Sequence, residues 1–290
     1  MCGIVGYIGD KQAQPILLSG LKRLEYRGYD SAGIVSIDGR SKATLLRAKG
    51  KVAELESKVA THARDDTAGI GHTRWATHGE PSKRNAHPHH VGDIYLVHNG
   101  IIENYQDLKV MLMKHDYDFK SDTDTEVLTA LIDYFYQQSS SLLAAVSSSL
   151  QTVVGAYGIA IFSVKNPDEI IIARKGSPLI AGVGEGEVFI ASDASALVGY
   201  TNKVIYLHDG EIGVCNRDGV QLFDVEAHTR EAIVEELEID MQSIQKKGYD
   251  HFLLKEINDQ PDSLRSTLRG RIQLDTMTAK LGGLNMTDDE

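Results

Sequence analysis

The sequence is poor in cysteine, tryptophan and proline, and it contains no long apolar run. Only Cys2 and Cys215 occur among 290 residues, too few for a disulfide framework or a thiolate zinc site. No stretch approaches the roughly 20 apolar residues of a membrane-spanning helix, and the start of the chain lacks the pattern of a signal peptide. These absences predict a cytoplasmic protein without membrane contact, in which any functional cysteine acts as a thiol.

Basic residues are also scarce relative to acidic ones. The chain has 30 Lys and Arg against 41 Asp and Glu, a formal net charge of -11. Such a charge repels phosphate backbones, so we expect no nucleic-acid partner. Hydrophobic residues make up 42% and charged residues 24%, as in an ordinary folded protein, and the length allows one main domain with a full core.

The residue patterns predict a mixture of short strands and amphipathic helices. The expected strands are Gly3–Ile8, Gly33–Ile37, Ile94–His98, Tyr157–Val164, Glu169–Arg174, Val188–Ala191 and Val204–His208. The expected helices are Pro15–Tyr26, Val52–His62, Asn104–Lys114, Asp124–Tyr136 and Leu142–Leu150. Asp-Gly pairs between apolar runs indicate antiparallel hairpins at Asp38-Gly39, Asp209-Gly210 and Asp218-Gly219. We therefore expect an α+β fold, a four-layer α/β/β/α sandwich of two largely antiparallel sheets.

The composition changes after Val225, which predicts a boundary there. The following residues begin with an acidic segment, Glu231–Glu238, that favours a helix, and continue through the polar Lys246-Lys247-Gly248. We interpret residues 1–225 as the main domain and residues 226–290 as its end and a connector.

Cysteine at position 2 stands out because removal of Met1 would leave its thiol and a free α-amine on one residue. An α-amine has a reference pKa of about 7.7–8.0 and a thiol about 8.5, so the amine can accept the thiol proton near neutral pH. The apolar run Gly3-Ile4-Val5-Gly6 follows directly and predicts a strand that aims the nucleophile. The alternative is that Cys2 is a small buried hydrophobe.

Five motifs in order carry a family resemblance. They are CGIVG from Cys2, RGYDSAG at Arg27–Gly33, HTRWATHG at His72–Gly79, HNGIIEN at His98–Asn104 and TDTE at Thr123–Glu126. The chain resembles the class II, N-terminal-nucleophile glutamine amidotransferases, and it is most similar to glutaminase domains of the glucosamine-6-phosphate synthase type. The resemblance implies the N-terminal nucleophile hydrolase type of sandwich.

The resemblance also implies the main site residues. Asn99 and the backbone N–H of Gly100 would form an oxyanion hole, in which neutral donors stabilise a tetrahedral intermediate. Arg74 would bind the α-carboxylate of glutamine, where a guanidinium can make two parallel hydrogen bonds, and Asp124 would bind its α-ammonium. From the residues alone, two alternatives stay open: Asn99-Gly100 is a plain turn, and Arg74 is a solvated surface side chain.

Five further residues receive roles through the resemblance. Thr77 and His78 would add polar contacts to glutamine, and Trp75 would close over it and control the passage of ammonia, with core packing as the competing role. His87 would support the loop beside the pocket. Arg27 would orient the amine or the substrate, a role that the sequence cannot separate from a structural ion pair.

The His87-Pro88-His89-His90 cluster could suggest a divalent metal, since imidazoles are common ligands. No cysteine or carboxylate lies at a spacing that completes a tetrahedral site, so we expect neither a metal nor a cofactor. Cys215 lies in an apolar, strand-like stretch and is expected to be structural.

The expected reaction is hydrolysis of L-glutamine to glutamate and ammonia through a Cys2 thioester. The resemblance implies that a sugar-isomerase domain of the full-length enzyme, which could assemble as a homodimer, uses the ammonia to convert fructose 6-phosphate to glucosamine 6-phosphate. That domain is not in this chain, which we expect to be an isolated glutaminase domain. Two alternatives stay open: a glutaminase domain of another class II amidotransferase, and a non-catalytic glutamine-sensing module.

Overall fold

The computed structural model describes residues 2–28, 30–75, 80–237, 249–268, 272–273 and 278–279. The chain divides into two compact units, Met1–Ile239 and Asp240–Glu290. The first unit holds both large sheets and the five helices that cover them.

The described strands follow the chain in this order: β1 (Gly3–Ile8), β2 (Ser31–Ile37), β3 (Ala43–Lys49), β4 (Ala68–Arg74), β5 (His89–Val91), β6 (Ile94–Ile102), β7 (Gly155–Ser163), β8 (Asn166–Lys175), β9 (Ile180–Val183), β10 (Val188–Ala191), β11 (Lys203–Tyr206), β12 (Glu211–Asn216), β13 (Gly219–Asp224), β14 (Thr229–Arg230), β15 (Glu235–Glu236), β16 (Ile272–Gln273) and β17 (Thr278–Ala279). The helices are α1 (Ala13–Leu24), α2 (Val52–Ala60), α3 (Tyr105–Met113), α4 (Asp124–Ser139), α5 (Leu142–Thr152) and α6 (Phe252–Leu268). Short 3-10 turns occur at Glu25–Arg27 and Ala194–Ala196.

Two antiparallel sheets form the frame of the first unit. One has eight strands in the order β15-β11-β9-β10-β1-β4-β2-β3, and the other has seven in the order β14-β13-β12-β8-β7-β6-β5. Strand β1 pairs with β10 on one side and β4 on the other, so the strand that follows Cys2 lies inside its sheet. An interior strand is held by two ladders of hydrogen bonds, which fixes the position of the residue at its start.

Three apolar cores show how the layers stack. Helices α1 and α2 pack on the outer face of the eight-stranded sheet around residues such as Leu17, Leu21 and Leu55. Helices α3, α4 and α5 pack on the outer face of the seven-stranded sheet. A middle core, with Ile4 from one sheet and Phe162 from the other, fills the space between the sheets. The predicted α/β/β/α sandwich is confirmed.

Burial on both faces explains the sequences of the central strands. All residues of β1, β2 and β4 are buried, because a helix layer covers one face and the opposite sheet covers the other. Such strands carry no alternating polar face. The apolar runs of β1 and most of β2 were still predicted as strands, whereas β4, which contains Gly69, His72 and Arg74, has neither alternation nor an apolar run and was not predicted.

The predicted helices of the first unit are confirmed to within a few residues at each end, but two local predictions are wrong. Asp209-Gly210 does not close a hairpin: β11 pairs with β9 and β15, whereas β12 pairs with β8 and β13, so the turn carries the chain from one sheet to the other. An Asp-Gly pair specifies a local reversal of the chain but not which strands pair.

The acidic segment Glu231–Glu238 does not form a helix over its described residues. Glu235–Glu236 instead pairs with Lys203 and Val204 at the edge of the eight-stranded sheet, and Thr229–Arg230 extends the other sheet. Ladder bonds at an open sheet edge override the intrinsic helix preference of glutamate. The compact unit therefore continues beyond residue 225, and the proposed division at 225/226 stays a prediction of composition alone.

The second unit contains α6, with Pro261 inside it, and the antiparallel pair β16–β17. Among the described helices, none combines the length and the apolarity needed to cross a membrane.

Candidate active site

Cys2 lies at the entrance to β1, half-buried, where the two sheets meet. Gly3 pairs with Thr73 of β4, and a Cβ on Gly3 would stand 2.8 Å from Thr73 Oγ1 and from Leu24 Cβ. Only glycine allows β1 to approach β4 and α1 so closely. The Cys2 thiol is thereby brought beside the end of β4, where Trp75 N–H donates a hydrogen bond to Sγ at 3.2 Å.

The electrostatic setting of Cys2 combines opposing effects. Burial raises the pKa of the thiol above its ordinary value, while the Trp75 N–H and the positive charge of Arg74 act to lower it. Burial is the largest effect, so the sulfur is held mainly as a thiol at neutral pH. Attack on a substrate therefore requires a base that removes this proton.

Asn99 and Gly100 approach Cys2 from the seven-stranded sheet. They lie on β6, and the Asn99 side chain donates from Nδ2 to the carbonyl oxygen of Cys2 at 3.3 Å. Gly100 has φ 133°, and a Cβ there would lie 2.0 Å from the carbonyl oxygen of Ala156. A residue with a side chain cannot take this conformation without strain. Asn99-Gly100 is thus part of a strand, and the plain-turn interpretation is wrong.

A cation and an anion complete the surroundings of Cys2. Arg74 ends β4 with only 5% of its surface exposed, which excludes a solvated surface side chain. Burial lowers the pKa of its guanidinium, and the nearby Cys2 and Asp124 act in the opposite direction. Asp124 begins α4 and accepts a hydrogen bond from Ile102 N–H at 2.8 Å.

The start of α4 is fixed by its cap, which positions Asp124. Thr123 caps the helix, with its side chain accepting from Glu126 N–H at 3.3 Å. The buried Glu126 carboxylate in turn accepts from the backbone N–H groups of Lys120 and Ser121. The Thr123 cap fixes where the helix begins, and Glu126 holds the segment that leads into it.

One pocket brings Cys2, Arg74, Gly100 and Asp124 together, and Asn99, which bonds the carbonyl oxygen of Cys2, adjoins it without being among the residues that line it. It is lined by Cys2, Arg74, Trp75, His87, His98, Gly100, Ile101, Thr123, Asp124 and Thr125. A thiol, a guanidinium and a carboxylate around one narrow pocket match a small zwitterion that offers a group for nucleophilic attack. Larger surface grooves occur among the described residues, including one between α1 and α2, but their linings there include no thiol.

Trp75 lies at the rim of this pocket and is 52% exposed. A Cβ on Gly28 would be 1.9 Å from its ring, so the indole rests on the backbone at Gly28. This placement disfavours the core-packing alternative for Trp75.

His87 lines the pocket and belongs to a group of buried histidines. His72 and His87 have ring centroids 4.2 Å apart, and His87 accepts from His98 N–H at 3.4 Å. Burial lowers the pKa of His72 and His89 to about 3, and it holds the pKa of His87 well below 6.5. These imidazoles are neutral at physiological pH.

The histidines of the 87–90 cluster point to different partners. His89 Nε2 lies 2.9 Å from Thr123 Oγ1, and His90 Nε2 lies 2.7 Å from the carbonyl oxygen of Gly92. Across the described ranges, the cluster of residues whose potential metal-ligand atoms lie close together is not this one. It consists of Asp224, Glu226 and His228 at the surface. Cys215 is fully buried in the middle core.

Three predicted site residues are not covered by this geometry. Thr77 and His78 lie outside the described residues, as does the side chain of Arg27. Conversely, sequence reasoning missed His72, His98 and Thr125 as neighbours of the site. The sequence could have indicated them, because each of these residues belongs to a motif already singled out.

Comparison with known proteins agrees with the geometry. A family model described as a glutamine amidotransferase domain matches residues 72–199. The chain therefore contains a glutamine amidotransferase domain over these residues. In the solved structure of glutamine phosphoribosylpyrophosphate amidotransferase from B. subtilis, a similar fold covers 79% of this chain and 50% of that one, with 29% identity and a TM-score of 0.67.

The chain is also similar to particular full-length enzymes. Glutamine–fructose-6-phosphate aminotransferases (isomerizing) from Chlorobaculum tepidum and Bacteroides thetaiotaomicron are each 51% identical to it over 98% of its length. The chain spans 47% of the length of either relative.

Proposed function

We propose that this domain hydrolyses L-glutamine to glutamate and ammonia with Cys2 as the nucleophile. The observation that carries the proposal is the convergence of Cys2, Arg74 and Asp124 on one pocket. The α-carboxylate of glutamine pairs with the Arg74 guanidinium and its α-ammonium with the Asp124 carboxylate, which directs the side-chain amide toward Sγ.

The first half of the reaction forms a thioester. The α-amine of Cys2 accepts the thiol proton, and the thiolate attacks the amide carbon to give a tetrahedral intermediate. Asn99 Nδ2–H and Gly100 N–H stabilise its oxyanion. The C–N bond then breaks, and the nitrogen leaves as ammonia with the proton that the amine returns.

The second half regenerates the enzyme. Water attacks the γ-glutamyl thioester, the C–S bond breaks, and glutamate leaves while the sulfur regains a proton. The scheme needs a free amine on Cys2, so it applies to the chain without Met1. The pKa of a free α-amine, about 7.7–8.0, suits both proton transfers.

The remaining residues contribute to binding. Trp75, at the rim, covers bound glutamine and controls the passage of ammonia, and His87 supports the pocket wall. Thr77 and His78 supply polar contacts, and Arg27 orients the amine or substrate. In the full-length protein we propose that a sugar-isomerase domain takes up the ammonia and converts fructose 6-phosphate to glucosamine 6-phosphate. The reaction needs no metal or cofactor, and we propose a cytoplasmic location and a homodimer for the full-length enzyme.

The names of the relatives support this destination for the ammonia, since both are glutamine–fructose-6-phosphate aminotransferases. The alternative is another class II acceptor, for which the similarity to the phosphoribosylpyrophosphate amidotransferase is the motivation. A non-catalytic glutamine sensor is the second alternative, and it follows if Met1 stays in place.

The test is glutamate release from glutamine by the purified chain, beside Cys2→Ala and Cys215→Ala variants, with intact mass recorded for each sample. We expect turnover in the unmodified chain and in Cys215→Ala, and none in Cys2→Ala. Equal turnover in Cys2→Ala contradicts the proposal. Glutamine binding without turnover, in a chain whose mass shows that Met1 is absent, favours the sensor.

A further inference from the structure

The Asn99 carboxamide makes two hydrogen bonds that cross from one sheet to the other. Its Nδ2 donates to the carbonyl oxygen of Cys2 at 3.3 Å, and its Oδ1 lies 2.9 Å from Nε2 of His72. Cys2 and His72 belong to the eight-stranded sheet, at β1 and β4, while Asn99 belongs to β6 of the other sheet. Asn99 is therefore clamped between the nucleophile residue and one imidazole.

The direction of a carboxamide decides what it can stabilise. With Nδ2 toward Cys2, one N–H bonds the Cys2 carbonyl and the second is available to an oxyanion. With the amide turned over, Oδ1 would face the Cys2 carbonyl oxygen and the developing oxyanion, and the interactions would be repulsive. The oxyanion hole thus needs a neighbouring group that forms a hydrogen bond with the Asn99 carboxamide in only one of its two orientations.

His72 meets this requirement through its own proton. The ring is fully buried, and burial lowers its pKa to about 3, so it is neutral and carries one N–H. Donation from Nε2 fits Asn99 Oδ1 and locks the productive orientation. A proton on Nδ1 alone would leave Nε2 as an acceptor and favour the reversed amide. Close packing of the His72 ring on His87, with centroids 4.2 Å apart, holds the ring in place.

We propose that His72 is a positioning residue, which as the Nε2–H tautomer orients the Asn99 carboxamide for oxyanion stabilisation. His72 is fully buried and its Nε2 contacts the Asn99 carboxamide, so it acts through Asn99 and not by touching the substrate. The inference deepens the proposed glutaminase function and rests on it.

The matched pair of variants is His72→Gln and His72→Leu. Glutamine can present an N–H near the position of the imidazole Nε2, whereas leucine fills similar space without a donor. We expect His72→Leu to lower kcat about 10- to 100-fold, less than the roughly 100- to 1,000-fold for outright loss of an oxyanion-hole donor because Asn99 is misoriented but still present, with KM changed less than about threefold. His72→Gln should recover most of kcat. His62→Leu, an exposed site, is the control for histidine loss.

Two readouts separate positioning from a general structural effect. Alkylation of Cys2 by iodoacetamide develops no oxyanion, so its rate should be the same in His72→Leu and the unmodified chain. An aldehyde analogue of glutamine forms a thiohemiacetal whose oxygen occupies the oxyanion position, and its affinity should fall in parallel with kcat. A kcat that is unchanged in His72→Leu, or an alkylation rate that falls together with kcat, would overturn the proposal.

The tautomer can be measured without turnover or substitution. Long-range ¹H–¹⁵N spectra of the unmodified chain should show His72 with its proton on Nε2 and a bare Nδ1. A proton on Nδ1 instead would overturn the role of His72 and leave the glutaminase proposal intact. A chain with the expected tautomer but no glutamine turnover after loss of Met1 would count against the glutaminase function itself.

Discussion

The indole of Trp75 and the backbone of Gly28 are in direct contact, with no room for even a methyl group between them. A Cβ at residue 28 would lie 1.9 Å from Cε3 of the ring, and Gly28 has φ 137°. The residue after a short 3-10 turn therefore sets the position of the tryptophan at the rim of the pocket.

Gly28→Ala should displace Trp75 and weaken glutamine binding. Because Trp75 is the sole tryptophan in the sequence, its fluorescence reports the displacement directly, and we expect emission at longer wavelength as the ring enters solvent. KM for glutamine should rise. Gly39→Ala, where a Cβ meets open space, is the control. Identical spectra for Gly28→Ala and the unmodified chain would show that the contact does not hold the indole.

Arg74→Lys should raise KM for glutamine about 10- to 100-fold, the equivalent of losing one charge-assisted hydrogen bond. Lysine keeps the charge but loses the planar pair of donors that binds a carboxylate, and its ammonium is harder to bury. Steady-state glutaminase kinetics measure the effect, with Arg40→Lys in the exposed β2–β3 loop as control. A KM that does not change would remove Arg74 from carboxylate binding.

Gly100→Ala should abolish most of the turnover and reduce stability. The methyl group would meet the Ala156 carbonyl oxygen at 2.0 Å, at a φ of 133°. Gly219 has nearly the same φ, 135°, but open space around it, so Gly219→Ala carries the conformational strain alone. We expect Gly219→Ala to lose about 1–2 kcal/mol in urea unfolding and to keep its activity. Gly100→Ala should lose more, and equal losses would argue against the collision.

The buried histidines should make stability depend on pH. His72 and His89 have pKa values of about 3 when folded, and an unfolded histidine titrates near 6.5. Between these values the unfolded chain binds more protons, so the free energy of unfolding falls as pH decreases from about 6.5. Each such histidine contributes about 1.4 kcal/mol per pH unit at most.

Urea unfolding between pH 4.5 and 7.5 tests this dependence. His89→Gln removes one titrating group, can still hydrogen-bond Thr123, and should make the slope shallower by about 1 kcal/mol per pH unit. His62→Gln, at an exposed position, is the control for the loss of a histidine. An identical slope in His89→Gln would mean that His89 does not titrate on unfolding in this range.

The sequence predicted the layered fold, because amphipathic helices can be identified from local periodicity. The motifs and the family resemblance singled out Cys2, Arg74 and Asp124, which line one pocket, while the roles given to them stay predictions. Strand β4 was missed because its residues neither alternate nor form an apolar run. The site depends on this strand, since it carries both Arg74 and His72.

Pairing between distant strands could not be predicted from local signals. The Asp209-Gly210 turn links two sheets, although its dipeptide is typical of a hairpin. The role of His72 was hidden for the same reason, because its partner Asn99 lies 27 residues away on the opposite sheet. Such contacts depend on how the sheets stack, which no single segment encodes.

The middle core has a consequence for the chemistry, since the proposed nucleophile stands on one sheet and the proposed oxyanion donors on the other. Their separation is set by how far apart Ile4, Phe162 and their neighbours hold the two sheets. A small shift of one sheet relative to the other can therefore inactivate a chain that keeps every reacting residue. Selecting for tighter packing of this apolar interior would at the same time tune the alignment of the reacting atoms.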